Sequence, residues 1–283
     1  MKKRASLLLL VMASCQQATY EPDYVPVVEE QYVHKYGFEV SPQEWQNRGE
    51  HGQKITTLKN GVTVKQSYSF GQLDGESTYT YPYSSTISLV ERYQEGKLIQ
   101  DEERNQSGIP TRKREFLGDI TRITVWYQGG HPQAIEEYEN DILMKGEYLT
   151  LQGATESQVV EKNGERINRD LQGNLVSKDT IVNGRLQERI VFWDNGTPKE
   201  SIPYNKSGLV NGHRKTFMRD GEPATDETWE NGVQNGLTVI YNNGEKFAEV
   251  PYRNGVKSGV ERRYRDGSEL FEQVSWIDGS LIQ

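Results

Sequence analysis

Residues 228–267 read TWENGVQNGLTVIYNNGEKFAEVPYRNGVKSGVERRYRDG and carry two alternating series of glycines. Three Gly-x-x-x-Gly phrases begin at Gly208, Gly232 and Gly255, so they recur at a nearly constant interval. A second series has Asp or Asn directly before glycine at positions 196, 221, 244 and 267, and it keeps almost the same interval. Each glycine of one series falls close to midway between two glycines of the other. One period therefore holds two short strands and two turns, which indicates a hairpin repeat.

The residue types at these glycines fit tight hairpin turns. A two-residue turn that follows the right-handed twist of its strands needs positive φ at both central positions, which Asn-Gly and Asp-Gly adopt at low steric cost. We therefore expect an all-β fold, an elongated single-layer array of stacked antiparallel β-hairpins with a short N-terminal helix and a tether. The structural turns are expected at Gly196, Gly208, Gly212, Gly221, Gly232, Gly236, Gly244, Gly255, Gly259, Gly267 and Gly279.

An aromatic residue stands at a fixed offset from many of the turn glycines. Trp229, Tyr252 and Trp276 each precede their glycine by the same short distance along the chain, as in Trp229-Glu-Asn-Gly232. Rings at the same place in successive units are expected to stack at strand spacing as an aromatic ladder. Such a ladder fits either packing or a partner-binding face, and the sequence leaves both open. The candidate partner face comprises Trp193, Trp229, Tyr241, Tyr252, Tyr264 and Trp276.

The pattern resembles the MORN-repeat variant of bacterial YwqK-like "antitoxin component" proteins. The matching phrases are Trp229-Glu-Asn-Gly232, Tyr241-Asn-Asn-Gly244, Tyr252-Arg-Asn-Gly255 and Tyr264-Arg-Asp-Gly267. The match is clear over residues 184–283 and looser upstream. The resemblance implies a stack of MORN-like β-hairpins in one elongated sheet, and it implies no catalytic residues.

The first fifteen residues have the features of a bacterial lipoprotein signal peptide. Three basic residues at positions 2–4 precede an apolar run at residues 5–13, which is too short to span a bilayer. The run ends in Val11-Met-Ala-Ser-Cys15, which is similar to a lipobox, and Cys15 is the single cysteine of the chain. We expect lipidation of Cys15 and attachment to the bacterial cell envelope through lipid alone. Gln16 is not the aspartate associated with inner-membrane retention, which favours the outer membrane if two are present.

Residues 16–36 are acidic and carry prolines, which predicts a flexible tether. Ser41-Pro42-Gln43-Glu44 then offers an N-cap, a first-turn proline and a reciprocal glutamate. This capping box predicts one short helix ending near Gly49, with Trp45 packed on the first strands. The expected domains are a signal peptide at 1–15, a tether and capping helix at 16–50, and a repeat domain at 51–283.

The composition fits a thin sheet more than a thick globular core. Hydrophobic residues make up 34% of the chain and charged residues 26%. The net charge is −8, which argues against nucleic acid and anionic lipid headgroups as partners.

No motif in the sequence points to catalysis, a cofactor or a metal. The histidines at 34, 51, 131 and 213 lack metal-ligand spacing, and neither a phosphate-binding loop nor a nucleophile elbow occurs. Glu136 and Glu137 are adjacent, so on a strand they are expected to point to opposite faces and cannot share a proton.

These observations favour a membrane-anchored, non-catalytic repeat protein that binds a protein or an envelope polymer along one sheet face. Three alternatives remain from the sequence. The chain could neutralise a partner toxin or effector, act as a cell-wall enzyme, or serve as an architectural spacer.

Overall fold

The computed structural model describes residues 25–282, which form one open antiparallel sheet of 24 strands and one short helix. The expected lipidation site at Cys15 and the start of the tether lie outside the described residues. The elements in chain order are β1 Val27–His34, β2 Glu39–Val40, α1 Pro42–Asn47, β3 Gly52–Leu58, β4 Thr63–Ser69, β5 Gln72–Thr80, β6 Ile87–Gln94, β7 Lys97–Arg104, β8 Pro110–Leu117, β9 Ile120–Trp126, β10 Pro132–Glu139, β11 Ile142–Leu149, β12 Thr155–Val160, β13 Asn163–Arg169, β14 Leu175–Val182, β15 Arg185–Phe192, β16 Pro198–Pro203, β17 Gly212–Phe217, β18 Pro223–Glu230, β19 Val233–Asn242, β20 Glu245–Arg253, β21 Val256–Lys257, β22 Gly259–Arg265, β23 Glu269–Ile277 and β24 Ser280–Ile282.

The sheet is a meander in which strands pair in the order of the chain. β3 to β20 each pair with the next strand, β1 lies between β2 and β3, and β20 pairs with both β21 and β22. β2 therefore lies at one end of the sheet and β24 at the other. The sequence prediction of an all-β array of stacked antiparallel hairpins in a single layer is confirmed.

The chain reverses direction along two sides of the meander, which we call its edges, and the turns of one edge are mostly two-residue turns with both residues at positive φ. Asn254 and Gly255 have φ of 52° and 82°, and Asn231 and Gly232 have 50° and 84°. The amide of each turn glycine also donates to a carbonyl in the preceding hairpin, as from Gly255 to Gln234 at 2.9 Å and from Gly232 to Val210 at 2.8 Å. These bonds hold successive turns against one another, in addition to the strand ladder.

The opposite edge carries mostly longer turns of the form X-x-x-Gly. The amide of Gly196 donates to the carbonyl of Trp193 at 2.9 Å, and that of Gly221 to Met218 at 3.0 Å. Asn243 and Gly244 form a two-residue turn on this edge. Both glycine series of the sequence thus lie at sheet edges, one series at each.

Gly212, Gly236 and Gly259 are not turn residues, contrary to the sequence prediction. They lie in β17, β19 and β22, with φ of +114°, +128° and +120°. A Cβ on Gly236 would lie 2.8 Å from the Cβ of Thr228, and one on Gly259 would lie 2.9 Å from the Cγ of Pro251. The reason is that only the first glycine of each Gly-x-x-x-Gly phrase occupies the turn, whereas the second allows close approach of the neighbouring strand.

The predicted capping helix is confirmed as α1. The Ser41 hydroxyl accepts from the Glu44 amide at 3.3 Å, and the Glu44 carboxylate accepts from the Ser41 amide at 3.2 Å. Trp45 is 5% exposed, with its ring centroid 5.5 Å from that of Tyr32 and 6.2 Å from that of Tyr68. The helix therefore covers the first strands at one end of the sheet.

The prediction of a flexible tether reaching residue 36 is wrong for its second half. Val27–His34 is a full strand that pairs with β3, and the sheet therefore begins before the expected domain boundary at 51. The acidic residues suggested a tether, but the charge of Glu30 is compensated within the sheet. Its carboxylate is 2.8 Å from the ammonium of Lys54 and accepts from the Tyr32 hydroxyl at 2.7 Å.

The buried residues of the sheet combine an apolar cluster with a polar row. Leu143, Tyr148, Val159 and Ile181 are each 1–2% exposed and pack together. Cross-strand partners share a face, so the pairings Arg166↔Asp179 and Asp179↔Arg189 place the fully buried Asp179 in a charged row on that same face. This mixture explains how a chain with few apolar residues still forms a shielded face.

Candidate functional site

The six candidate partner-face residues fall into two rows at opposite edges of the sheet. Trp229, Tyr252 and Trp276 lie near the ends of β18, β20 and β23, beside the stacked two-residue turns. The other three, Trp193, Tyr241 and Tyr264, lie beside the turns of the other edge. All six side chains are half-buried.

The rings of the two rows do not stack on one another, so the predicted aromatic ladder is wrong. In residues 25–282, ring–ring contacts occur between residues 32 and 70. The reason is spacing. Neighbouring rings of one row lie at least two strands, or about 9.5 Å, apart, whereas ring pairs need centroids about 4.5–7 Å apart.

In the first row, polar side chains lie between the rings. The register pairs Trp229 with Gln234, and Tyr252 with both Gly236 and Lys257. Gly259 then pairs with Trp276. Because cross-strand partners share a face, five residues form one line, which we name the C-terminal row. It comprises Trp229, Gln234, Tyr252, Lys257 and Trp276.

Gln234 and Lys257 each extend along their own strand across a glycine. The Gln234 amide donates to the Thr238 hydroxyl at 2.7 Å, passing Gly236. The Lys257 ammonium donates to the Glu261 carboxylate at 3.0 Å, passing Gly259. The strand glycines therefore leave room for the polar spacers between the rings.

Hydrogen bonds fix the two indole rings of the C-terminal row. Trp229 donates its ring N–H to Glu227 at 2.8 Å, and Trp276 donates to Glu261 at 2.9 Å. The Lys257 ammonium also lies 4.5 Å from the centroid of the Trp276 ring, within cation–π range. Both rings are therefore held in one orientation before any ligand binds.

The same edge carries equivalent positions upstream, and there the spacers are mostly leucine. Leu73, Leu98, Leu143 and Leu186 lie opposite Tyr68, Tyr93, Tyr138 and Ile181, whereas Thr121 lies opposite Phe116. Burial, with a hydrogen bond to Glu91, raises the pKa of Tyr93 to about 12. Leu143 is buried in the apolar cluster and Leu186 packs against it, whereas Leu73 and Leu98 are half-buried. The polar spacers Gln234 and Lys257 distinguish the C-terminal row from these leucine positions.

Gln234 and Lys257 were not identified from the sequence, although a signal for them was present. Each spacer lies two positions after a turn glycine or its equivalent. The phrases Gly71-Gln-Leu73, Gly96-Lys-Leu98 and Gly184-Arg-Leu186 end in leucine, whereas Gly232-Val-Gln234 and Gly255-Val-Lys257 do not. Aligning the repeats on the turn glycine exposes the change.

At the opposite edge, the candidate rings make contacts within the sheet. Trp193 donates its ring N–H to the Phe217 carbonyl at 3.2 Å, and the Lys199 ammonium lies 4.6 Å from its centroid. The Tyr264 hydroxyl donates to Glu249 at 2.7 Å. The structure therefore does not join these residues to the C-terminal row.

A row of alternating charges runs through the middle of the buried face. Asp179 accepts from Arg166 at 2.9 Å and from Arg189 at 2.7 and 2.8 Å. Arg166 also lies 3.7 Å from Glu136, whose carboxylate accepts from the Tyr148 hydroxyl at 2.7 Å. Burial opposes the charge on Asp179, but the Arg189 hydrogen bond and the charge of Arg166 outweigh it and lower its pKa.

Alternating charges also lie beside the C-terminal row, on the same face of the sheet. Arg214 contacts the carboxylates of Glu200 and Glu227, the latter at 3.1 Å. Glu261 accepts from Lys257, from Arg263 and from Trp276 at 2.9–3.0 Å. Burial raises the pKa of Glu261, but these donors more than offset it and the net shift is downward.

The carboxylates with clearly shifted pKa values are stabilised in their charged form. In residues 25–282, each carboxyl with a clearly shifted pKa shifts downward, opposite to a general acid held protonated near neutral pH. Glu136 accepts from Tyr138, whereas its neighbour Glu137 accepts from Arg122. The expectation that this adjacent pair faces opposite sides of the sheet is confirmed.

The described part of the chain contains no cluster of three or more histidine, cysteine, aspartate or glutamate residues that could hold a metal ion. Between residues 25 and 282, no helix has the length and apolar character needed to cross a membrane. The chain matches no protein-family model and no curated protein. The fold defines the protein as an open meander of β-hairpin repeats.

Proposed function

We propose that the protein is a non-catalytic binding protein of the bacterial cell envelope, attached to a membrane by lipid on Cys15. Its C-terminal row takes a protein or an envelope component, and the rest of the sheet is a rigid support. The MORN-like resemblance fits this proposal, because it implies a repeat scaffold without catalytic residues.

The observation that carries the proposal is the change of spacer within one row. Leucine occupies four equivalent upstream positions, of which Leu143 is buried, and full burial of a leucine side chain is worth about 1.5–3 kcal/mol. Gln234 and Lys257 lie between three large rings but do not supply the stabilisation that a leucine side chain would give there. A local departure from the rule followed elsewhere in a fold is typical of a functional surface.

The fixed orientation of the rings supports binding. Trp229 and Trp276 are tied to Glu227 and Glu261, so little side-chain entropy is lost when a ligand covers them. Half-buried aromatic rings on strands also provide contact area at a defined place.

The carboxylates support a binding role over a catalytic one. Asp179, Glu227 and Glu261 have arginine, lysine or tryptophan donors. They stabilise the sheet and orient the rings, which leaves the outward ring surfaces as the groups that meet a ligand.

The direct test separates binding from packing. Trp229→Ala and Tyr252→Ala are compared with the upstream variant Tyr93→Ala for thermal melting and for retention of the full-length protein on native envelope preparations. We expect the first two variants to lose retention while melting cooperatively, and Tyr93→Ala to lower the melting temperature with retention kept. If the first two variants lower melting and keep every partner, the row is packing only.

The anchor has its own test. Cys15→Ala should move the protein from the membrane fraction to the soluble fraction, because lipid chains supply the membrane affinity. Membrane attachment that survives this substitution would remove the lipid from the proposal and leave the binding row untouched.

A further inference from the structure

Building on the proposed binding function, we infer that the C-terminal row takes an uncharged, β-linked glycan chain. The chain lies across β18 to β23, perpendicular to the strands, with every second sugar over one of the rings of Trp229, Tyr252 and Trp276.

The spacing of the rings points to a polymer with a regular repeat. β19 lies between β18 and β20, and β22 lies between β20 and β23. Each step between rings is therefore two strands, or about 9.5 Å. That distance is close to the length of two linked hexoses, so every second sugar of a straight chain meets a ring.

The chemistry of the row matches the two kinds of surface that a sugar presents. The apolar C–H faces of a pyranose pack on aromatic rings, which bury large area. Gln234 retains a carbonyl oxygen and one N–H after its bond to Thr238, and Tyr252 brings a hydroxyl. These groups can bond the hydroxyl and acetamido groups of sugars that lie between the rings.

The charges favour a neutral chain over an acidic one. The protein carries a net charge of −8, which repels polyanions. Lys257 is the cation of the row, and it is 3.0 Å from Glu261, whose side chain is 4% exposed. The row thus has rings and hydrogen-bonding groups but little free positive charge.

The test uses oligomers of N-acetylglucosamine with two, four and six sugars, titrated calorimetrically into the full-length protein. We expect affinity to rise stepwise with length as further rings are engaged, by about tenfold or more from the shortest to the longest. Gln234→Leu should weaken hexamer binding by about tenfold. It should also melt at or above the wild-type temperature, because it restores the apolar spacer found upstream.

A second variant of the row is Tyr252→Leu, and its matched control is Tyr93→Leu, because both tyrosines lie opposite a strand glycine. Tyr252→Leu should weaken hexamer binding and Tyr93→Leu should not. An affinity that does not depend on length, or no binding of any oligomer, overturns the glycan inference. A photo-crosslinker at position 234 then tests the proposed binding function itself. A protein adduct keeps the proposed function without the glycan, and no adduct of any kind overturns both.

Discussion

Tyr252 lies directly across the strand pair from Gly236, whose φ of +128° is accessible almost only to glycine. A Cβ at this position would be 2.8 Å from the Cβ of Thr228. The glycine thus lets β18 and β19 approach while leaving space beside the tyrosine ring. This relationship repeats at Gly259 and Trp276.

Gly236→Ala should lower the free energy of unfolding by about 2 kcal/mol or more, because strain and overlap with Thr228 add. The matched control is Gly221→Ala, where φ is +94° but no atom lies within 4 Å of the added Cβ. The control should lose about 1 kcal/mol. Equal losses in urea unfolding of the two variants would show that the close approach at Gly236 is unimportant.

Replacing the glycines of the two-residue turns by β-branched residues should destabilise the fold. Gly255→Val should cost more than about 1 kcal/mol, because φ is +82° and valine disfavours that region. Lys162 occupies an equivalent turn at φ of +70°, so Lys162→Gly should stabilise the fold by up to about 1 kcal/mol. Unchanged melting of Gly255→Val and of the matching Gly232→Val would contradict the turn assignment.

The buried charge of Asp179 should be essential to the middle of the sheet. Asp179→Asn leaves Arg166 and Arg189 without their shared carboxylate, which should destabilise the fold by about 3 kcal/mol or more. The control is Asp194→Asn, whose pair with Arg219 is 70% and 64% exposed. The control should change stability by at most about 0.5 kcal/mol. Chemical unfolding measures the stability of both variants. Similar losses in the free energy of unfolding would refute the buried row as a source of stability.

The end of the sheet near α1 should loosen as the pH falls. Burial, with the charges of Arg48, Lys35 and His51, lowers the pKa of His34 from its ordinary 6.5. The folded state therefore binds a proton less readily than the unfolded state, so stability is present above pH 6.5 and declines as pH falls below it. The Nδ1 atom of His34 is buried without a hydrogen-bond partner in the described residues, which fits a neutral ring.

Hydrogen exchange of the α1 and β2 amides between about pH 7.5 and about pH 5.5 measures this effect. Exchange, corrected for its intrinsic pH dependence, should accelerate in the wild type and much less in His34→Gln. The amides of β18 to β20 serve as the internal reference. An identical pH response in the variant would assign the effect to other groups.

The sequence was sufficient to predict the hairpin array because its turns carry their own chemistry. Asn254-Gly255 and Asn231-Gly232 adopt positive φ at low steric cost, so their regular spacing indicates alternating strands without tertiary information. The capping box at Ser41 and Glu44 is equally local, and α1 followed from it.

The errors arose where the outcome depends on neighbouring strands. The role of Gly236 is set by Thr228 across the pair, which no local pattern encodes. The expected ring stacking failed because rings in the same register lie two strands apart. β1 was missed because Glu30 is neutralised by Lys54, which lies on β3, beyond the helix and far along the chain.

The most direct measurement of the central claim is the crosslinking yield from position 234 compared with position 98. A photoreactive residue replaces Gln234 in one protein and Leu98 in the other, and both are irradiated in intact cells that make the full-length chain. The two positions occupy the same place in the repeat, but position 234 belongs to the C-terminal row, whereas position 98 lies opposite Tyr93 among the upstream leucine spacers. We predict a specific adduct from 234 and none from 98. Equal yields, or adducts from neither position, would contradict a binding role for the C-terminal row.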